Sequence, residues 1–266
     1  MKASLSIALV LSAALLSACG GSSKSKQSVA EFSLTPYEGR TVSSDSIVGT
    51  WVSVSEGEET YVDDEFTGNY DVAAKEYFTI RESGFGYVKD SCESGFNTVS
   101  QINGRIEFGG ISGTLINNQK ISATSIEEGS GYTRSYSYEM VKISDSTQAF
   151  GVVNITEAGN GVITENVSCF QQSSALESYS DSNDTYKLEG YLVRTADYSM
   201  IDLQKWSGAY GYTYIYSDGA SFDTDYGDTV DFRVSSNSST AHNISYNGSN
   251  NSEDISGTIQ IQLPIQ

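Results

Sequence analysis

Short stretches in which apolar and polar residues alternate recur along most of the chain, and they constrain its fold more than any other feature. Ile47 to Val54 and Glu76 to Glu82 are two of them, and alternation with a period of two residues is typical of strands. The 18 Tyr and 10 Phe residues, together with only 2 Pro, also favour antiparallel sheets over helices. The sequence therefore predicts an all-β fold, either an antiparallel barrel or a sandwich.

Turn-rich segments divide these stretches into two groups. About eight strand-like stretches lie between residues 45 and 172, and we expect them to form one β-domain. A polar, Ser-rich connection follows, and residues 186–266 contain a second group of strand-like stretches. This second β-rich region is either a separate sandwich or a set of extra strands on the first sheet.

The chain begins with the pattern of an export signal. Met1-Lys2 is followed by a mostly apolar run from Leu5 to Leu16, which is too short to span a bilayer, since a spanning helix needs about 20 apolar residues. The run ends in Leu16-Ser17-Ala18-Cys19. This stretch resembles the lipobox of bacterial lipoproteins, in which a Leu and two small residues precede a Cys.

The resemblance implies that residues 1–18 are a signal peptide and that Cys19 becomes a lipidated N-terminus. Residues 19–44 then form a tether, because most of this segment is polar and has no apolar periodicity. In the lipoprotein family an Asp after the Cys retains the protein at the inner membrane, whereas Gly20 stands there in this chain. We therefore expect an outer-membrane protein that faces the periplasm or the cell surface. The alternative is a secretory signal with an unrelated Cys.

A second resemblance concerns the first predicted strand. Gly49-Thr50-Trp51 is similar to the Gly-x-Trp motif in the first strand of lipocalin-like proteins. This resemblance implies a small barrel over residues 45–172, with Trp51 plugging one end and a small apolar ligand as one candidate for its interior. The alternative is another kind of β-domain with a buried Trp.

The remaining cysteines indicate a disulfide. Once Cys19 carries lipid, Cys92 and Cys169 are an even pair in an oxidising compartment. The alternative is two buried free thiols. A zinc site fits poorly, because the single His of the chain is distant in sequence and completes no known ligand spacing.

Motifs for catalysis and for cofactors are absent from the sequence. His242 is the only His, no Gly-x-Ser-x-Gly stretch supplies a nucleophile for it, and phosphate-binding and dinucleotide-binding loops are missing. We expect His242 on the surface of a strand and no enzymatic activity. The 34 acidic residues leave a hydrolase with paired carboxylates as the weakest alternative.

A weak calcium candidate lies near the C-terminus. Four carboxylates fall within a short stretch around Gly227, and they belong to Asp223, Asp225, Asp228 and Asp231. Calcium binds six to eight oxygens, and one acidic loop can supply several of them, although this pattern departs from the EF-hand loop. The alternative is a solvated acidic turn. The run from Asp63 to Glu65 is a weaker candidate still.

A row of tyrosines is the other candidate site. On a strand, the alternate residues Tyr210, Tyr212, Tyr214 and Tyr216 share one face. An exposed row is a platform for sugar rings or for a protein partner, which Tyr136 and Tyr138 would extend, whereas a buried row is simply core.

The charge balance limits the partners. A net charge of −19 argues against nucleic acid and against electrostatic binding to anionic lipids. We therefore expect a non-catalytic envelope lipoprotein, attached to the membrane through its N-terminal lipid, whose β-domain binds a small apolar ligand or a glycan. The alternative is a structural lipoprotein that contacts other envelope proteins and has no small ligand.

Overall fold

A closed barrel of eight strands forms the first part of the structure. The computed structural model describes residues 29–62, 67–84, 86–157, 161–179, 185–197, 199–208, 211–217 and 219–264. Each barrel strand pairs antiparallel with the next along the chain, and the eighth pairs back with the first. The predicted all-β fold is thereby confirmed. The barrel strands are β1 (Gly49–Val62), β2 (Thr67–Ser83), β3 (Gly86–Ser91), β4 (Gly95–Ile102), β5 (Arg105–Phe108), β6 (Ile111–Ile116), β7 (Lys120–Gly129) and β8 (Tyr132–Ser144).

The predicted alternation places every second side chain inside the barrel. Trp51 and Phe78 are paired across β1 and β2 and are fully buried in the barrel core, whereas their chain neighbours Val52 and Tyr77 point out of the barrel into a second core. We call the first cluster the barrel core. Its buried members are Ile47, Trp51, Phe78, Ile80, Cys92, Val99, Ile106, Phe108, Leu115, Ile121, Ala123, Met140 and Cys169.

Trp51 lies near the end of the barrel where β1 begins. Its indole Nε1 donates a hydrogen bond of 2.9 Å to the carbonyl oxygen of Ile47, so its one polar atom is satisfied although the ring is completely buried. Gly49 begins the strand with a φ of +146°, and a Cβ there would lie 2.2 Å from the carbonyl oxygen of Ser144. Only glycine therefore allows β1 and β8 to approach this closely.

The remaining strands build a second layer that packs against β1, β2 and β8 of the barrel. Among the described residues, the helical segments are two short 3₁₀ turns, Thr35–Tyr37 and Thr224–Tyr226, and no helix is long and apolar enough to cross a membrane. The strands of this layer are β9 (Gly151–Glu157), β10 (Val162–Tyr179), β11 (Thr185–Thr195), β12 (Met200–Ser207), β13 (Thr213–Ser217), β14 (Ala220–Asp223), β15 (Thr229–Asn237), β16 (Ala241–Ser249) and β17 (Asp254–Gln262).

Strand β10 connects the two layers. Residues 169–179 pair with β2 on one side and with β11 on the other, and β11 to β14 extend that sheet. Residues 162–166 pair with β9, which continues through β17 and β16 to β15. Of the two arrangements that the sequence allowed for residues 186–266, the structure has extra strands joined to the barrel sheet. The barrel itself closes at β8, before the expected boundary at residue 172, because β9 and β10 pair with the second layer.

The second core lies between the outside of the barrel and the added strands. Most of its side chains have no polar atoms, and they come from β1, β2, β8 and every added strand. We call it the outer core. Its buried members are Tyr37, Val52, Tyr77, Val141, Ile143, Phe150, Val153, Ile155, Val167, Phe170, Tyr191, Val193, Ile201, Leu203, Ile215, Phe222, Phe232, Ile244, Tyr246, Ile255, Ile259, Ile261 and Leu263.

The segment before the barrel packs against it. Tyr37 is only 2% exposed, and its hydroxyl shares a hydrogen bond of 2.6 Å with the hydroxyl of Tyr77. The guanidinium of Arg40 donates to the carbonyl oxygen of Pro264 at 2.7 Å. Residues 29–44 therefore differ from the loose tether expected for 19–44, because an aromatic ring with a paired hydroxyl anchors them in the outer core. Residues 19–28, including Cys19, lie outside the described residues.

The predicted disulfide between Cys92 and Cys169 is present. Cys92 follows the end of β3, and Cys169 lies on β10. At this point the two strands separate, because β3 pairs with β2 only at residues 80–83 whereas β10 occupies the same edge of β2 at residues 68–78. The disulfide therefore joins the two branches of a fork in the barrel wall.

Candidate functional site

The end of the barrel opposite Trp51 contains a cavity of about 630 Å³. An eight-stranded barrel is only wide enough to be filled by its own side chains or to hold one small ligand. Here the inward positions that follow Trp51 on β1 are Ser53, Ser55 and Gly57, and Ala74 faces them from β2. These side chains are too small to fill the interior, so this end stays open while the other is packed.

A buried ion pair forms one wall of the cavity. The Lys89 ammonium lies 2.9 Å from both carboxylate oxygens of Glu76, and the Lys89 side chain is only 5% exposed. The ammonium also stands 4.2 Å above the ring of Phe78, at the top of the barrel core. A charged hydrogen-bonding pair therefore meets any molecule that enters the cavity.

A second polar network lies on β1 and β8. The guanidinium of Arg134 donates to the hydroxyl of Tyr61 at 2.7 and 3.0 Å, and that hydroxyl donates to the Glu59 carboxylate at 2.5 Å. The hydroxyl of Tyr136 donates to the other oxygen of Glu59. Burial, and after it the hydrogen bond to Glu59, raises the pKa of Tyr136 and that of Tyr61, so both phenols stay protonated donors at neutral pH.

Glu93 stands at the mouth of the cavity, in the turn between β3 and β4. The residue lines the cavity although part of it is exposed. This partial burial, and after it the charge of Glu76, raises the pKa of Glu93 above its usual value. The cavity thus combines two cations with carboxyl groups in different environments.

Aromatic rings accompany these polar groups. Tyr136 and Tyr138 line the cavity side by side, with ring centroids 6.1 Å apart, and Phe108 lies among the lining residues. Most of the other lining side chains carry a hydroxyl, amide or carboxylate group. Such a surface offers ring faces and many hydrogen-bonding groups but few purely apolar patches.

The tyrosine row lies on the sheet that extends from the barrel. Tyr214 and Tyr216 are half-buried on β13, and Tyr212 just before them stacks on Trp206 with ring centroids 5.9 Å apart. Ile215, between them in the chain, points the other way into the outer core. The three described tyrosines are therefore on the face away from the core, while Tyr210 lies outside the described residues.

The four aspartates of the calcium candidate do not converge. Asp223 accepts a hydrogen bond from the backbone N–H of Asp225 at 2.9 Å, and Asp228 accepts one from the backbone N–H of Asp223 at 3.0 Å. Asp231 forms an exposed ion pair with Arg233 at 3.1 Å. These carboxylates support a turn, and among the described residues no three of them come within ligand distance of a common ion. Asp63 to Glu65 lie outside those residues.

One cluster in the described chain has the spacing of metal ligands, but its chemistry does not fit. It consists of a Glu76 carboxylate oxygen with the sulfurs of Cys92 and Cys169. Those sulfurs are bonded to each other, and metals bind thiolates rather than disulfide sulfurs. This cluster is therefore not a metal site.

The expectation of a surface position for His242 is wrong. The side chain is completely buried, packs 4.8 Å from the ring of Phe170 and lies with its Nε2 3.4 Å from the hydroxyl of Tyr77. The alternation of β16 places it on the same face as Ile244. Among the described residues the hydroxyl near its ring is that of Tyr77, no Ser, Thr or Cys side chain forms a hydrogen bond with it, and it does not line the barrel cavity.

Most of the cavity residues were not predicted from the sequence. Glu59, Glu76, Lys89 and Arg134 were not singled out, although a signal was present: the inward positions of β1 change from Trp51 to Ser, Ser and Gly before Glu59. Only Tyr136 and Tyr138 had been named. A comparison of the chain with protein-family models, curated proteins and solved structures gave no match.

Proposed function

We propose that this protein is a non-catalytic binding module of the bacterial cell envelope and that its barrel cavity binds part of a glycan. The observation that carries the proposal is the half-filled barrel: a space of about 630 Å³ lined by paired charges, hydroxyls and tyrosine rings. A barrel with a purely structural role gains stability by filling its interior with apolar side chains. This barrel does so at one end only.

The lining favours a polar ligand over the apolar ligand that was the other expectation. An apolar molecule in this space would remove water from Glu76, Lys89 and Glu59 without replacing their hydrogen bonds, which is costly. A sugar has hydroxyl groups for these side chains and C–H faces for the rings of Tyr136 and Tyr138. The charge of the chain, −19, repels anionic molecules, so a neutral glycan fits best.

The anchor belongs to the same proposal. Lipid on Cys19 would hold the body at the outer membrane, since more than one acyl chain gives stable attachment. Radioactive palmitate should label the full-length protein and not its Cys19→Ala variant, which should leave the membrane fraction. A variant that still sediments with membranes would contradict this part of the proposal.

Binding is tested by closing the cavity. In Ser55→Tyr a large side chain points into the barrel, whereas in Ser137→Tyr the same change lies on the outside, because Ser137 is exposed on β8. Neutral oligosaccharides of the glucose and N-acetylglucosamine series, assayed by calorimetry on the full-length protein, should bind the native chain and Ser137→Tyr but not Ser55→Tyr. If Ser55→Tyr does not fold, Gln171→Ala replaces it as the test variant, and we expect weaker binding because it removes one amide group from the cavity lining.

Three outcomes would overturn this function. Equal binding by Ser55→Tyr would place the ligand elsewhere, and no binding of any saccharide would favour the alternative of a structural envelope protein. Release of reducing ends from a bound oligosaccharide, abolished in Glu93→Gln, would favour the hydrolase alternative, because Glu93 and Glu76 line the same cavity. We expect no release, since Glu76 and Glu59 are already held by Lys89 and Arg134.

A further inference from the structure

The inner face of the barrel wall continues onto the extended sheet. Directly paired residues of antiparallel strands point to the same side, so the register can be followed from the cavity outward. Two such lines cross β2, β10, β11, β12 and β13 in that order. The first consists of Glu76, Gln171, Leu192, Asp202 and Tyr216. The second consists of Ala74, Ser173, Gly190, Gln204 and Tyr214. Adjacent strands are about 4.8 Å apart, so Tyr214 lies roughly 14 Å along the sheet from Ser173, the last cavity residue on its line.

Aromatic residues also connect the rim of the cavity with this sheet. At the rim, Tyr61 and Tyr70 meet edge to face with centroids 5.3 Å apart, and the Tyr70 hydroxyl donates to Glu177 of β10 at 2.5 Å. Glu177 is paired in turn with Tyr186 of β11. This line of residues therefore leads from the rim onto the extended sheet.

The sheet face holds its rings in fixed positions. The indole Nε1 of Trp206 donates to the amide oxygen of Gln204 at 3.3 Å, and the amide nitrogen of Gln204 donates to Asp202 at 2.8 Å. Trp206 in turn stacks on Tyr212, with only 22° between the ring planes. A row of oriented rings beside carboxylate and amide groups results, which we call the aromatic face: Asp202, Gln204, Trp206, Tyr212, Tyr214 and Tyr216.

Packing does not account for these rings. Ile201, Leu203 and Ile215 of the same two strands fill the outer core from the other side of the sheet. The aromatic face adds nothing to that core and leaves large rings half-buried at the surface, which is typical of a binding surface. Its mixture of ring faces and hydrogen-bonding groups repeats the chemistry of the cavity lining.

We propose that the aromatic face is a second subsite for the same glycan, so that the protein binds a chain of several sugar units with one end in the barrel cavity and the rest along β11 to β13. The continuity of the face with the cavity requires an elongated ligand. The acidic charge of the chain favours a neutral one. This inference rests on the proposed function of the cavity.

The test separates the two subsites by ligand length. Calorimetry on the full-length protein would use neutral cello-, malto- and chito-oligosaccharides from dimers to hexamers, with the variants Trp206→Ala and Tyr214→Ser. Tyr226→Ser is the matched control, because Tyr226 is 87% exposed in the neighbouring turn and off this face. We expect the variants to lose about tenfold in affinity for hexamers and to bind dimers like the native chain, while the control binds both normally.

A conservative variant guards against a folding defect. Tyr214→Phe keeps the ring and should keep the hexamer affinity, and all variants should unfold at temperatures close to the native one. Equal affinity of the native chain for dimers and hexamers, or equal losses for both lengths in Trp206→Ala, would overturn the second subsite while the cavity site stands. If neither length binds the native chain, the proposed function falls with it.

Discussion

The barrel core and the outer core share strands but differ in how completely they are filled. Trp51 and Phe78 point into the barrel, while Val52 and Tyr77, their neighbours in the chain, point into the outer core. The outer core is packed with large apolar side chains from end to end. The barrel core is packed at the end near Trp51 and gives way to a cavity at the other.

The difference shows that the size of the inward side chains on β1 and β2 helps to create the site. β1 and β2 pair with each other without interruption over both ends of the barrel, while the partner on the other edge of β2 changes from β3 to β10 toward the cavity end. Inward Ser and Gly on β1 leave space, and charged residues then take the wall positions that water or a ligand can reach. In the outer core, by contrast, the hydroxyls of Tyr37 and Tyr77 are paired with each other.

The largest expected effect comes from opening a hole in the filled core. Phe170 is completely buried between the rings of Tyr77 and Tyr191, so Phe170→Ala should cost about 3–5 kcal/mol of unfolding free energy. Tyr138→Ala is the matched change in the open part of the barrel, where removing a ring adjoining a cavity should cost clearly less. Urea denaturation measures both, and similar losses would mean that the cavity end is packed as tightly as the outer core.

The next largest effect on stability concerns the disulfide at the fork in the barrel wall. Replacing both cysteines of the disulfide by Ser should reduce stability by about 4 kcal/mol, because the bond closes a long loop in the unfolded chain. Chemical denaturation of this double variant, with the native chain as reference, gives the value. Thiol titration of the unfolded, unreduced native protein should find neither Cys92 nor Cys169 free, and two reactive thiols would disprove the bond.

The unfolding free energy should depend on pH through His242, which packs in the outer core and not in the barrel core. Burial, and after it the charge of Lys75, lowers the pKa of His242 to about 4, whereas an unfolded His titrates near 6.5. The unfolded chain therefore binds a proton first, and stability should fall as the pH drops from about 6.5 to about 4, by roughly 3 kcal/mol in total.

The variant His242→Gln isolates this contribution from that of the many carboxylates. The difference in unfolding free energy between the native chain and the variant, measured at several pH values, should shrink over that interval. A difference that stays constant with pH would show that His242 titrates normally in the folded protein. Barrel-cavity variants such as Gln171→Ala should leave the curve unchanged, because His242 belongs to the outer core.

Local sequence patterns predicted the parts of the fold that depend on single strands. The alternation around Trp51 predicted a strand, the lipocalin-like resemblance of Gly49-Thr50-Trp51 implied a barrel, and the two cysteines remaining after Cys19 predicted the disulfide. Long-range pairing was not predictable in this way. Nothing in the local sequence of β10 shows that its two halves pair with different sheets.

The candidate site was predicted in part for the same reason. The position of Tyr212, Tyr214 and Tyr216 on one face followed from their spacing, but its continuity with the cavity depends on the register of β2, β10, β11 and β12. The predicted surface position of His242 was wrong because it was based on the polar residues beside it in the sequence. Its burial depends instead on the alternation along β16, which puts it on the same face as Ile244. Glu76 and Lys89 are far enough apart in sequence that only the pairing of β2 with β3 brings them together.

The smallest expected effect lies outside both cores, in the aspartate turn. Asp223 and Asp228 already accept backbone hydrogen bonds and Asp231 is paired with Arg233, so millimolar calcium should not change the melting temperature. Asp225→Asn should change stability by less than about 0.5 kcal/mol, as is usual for surface positions. Calorimetric melting with and without calcium checks both. A calcium-dependent rise in the native chain that disappears in Asp225→Asn would instead make this turn a metal site, because only a bound ion could gather carboxylates that otherwise point apart.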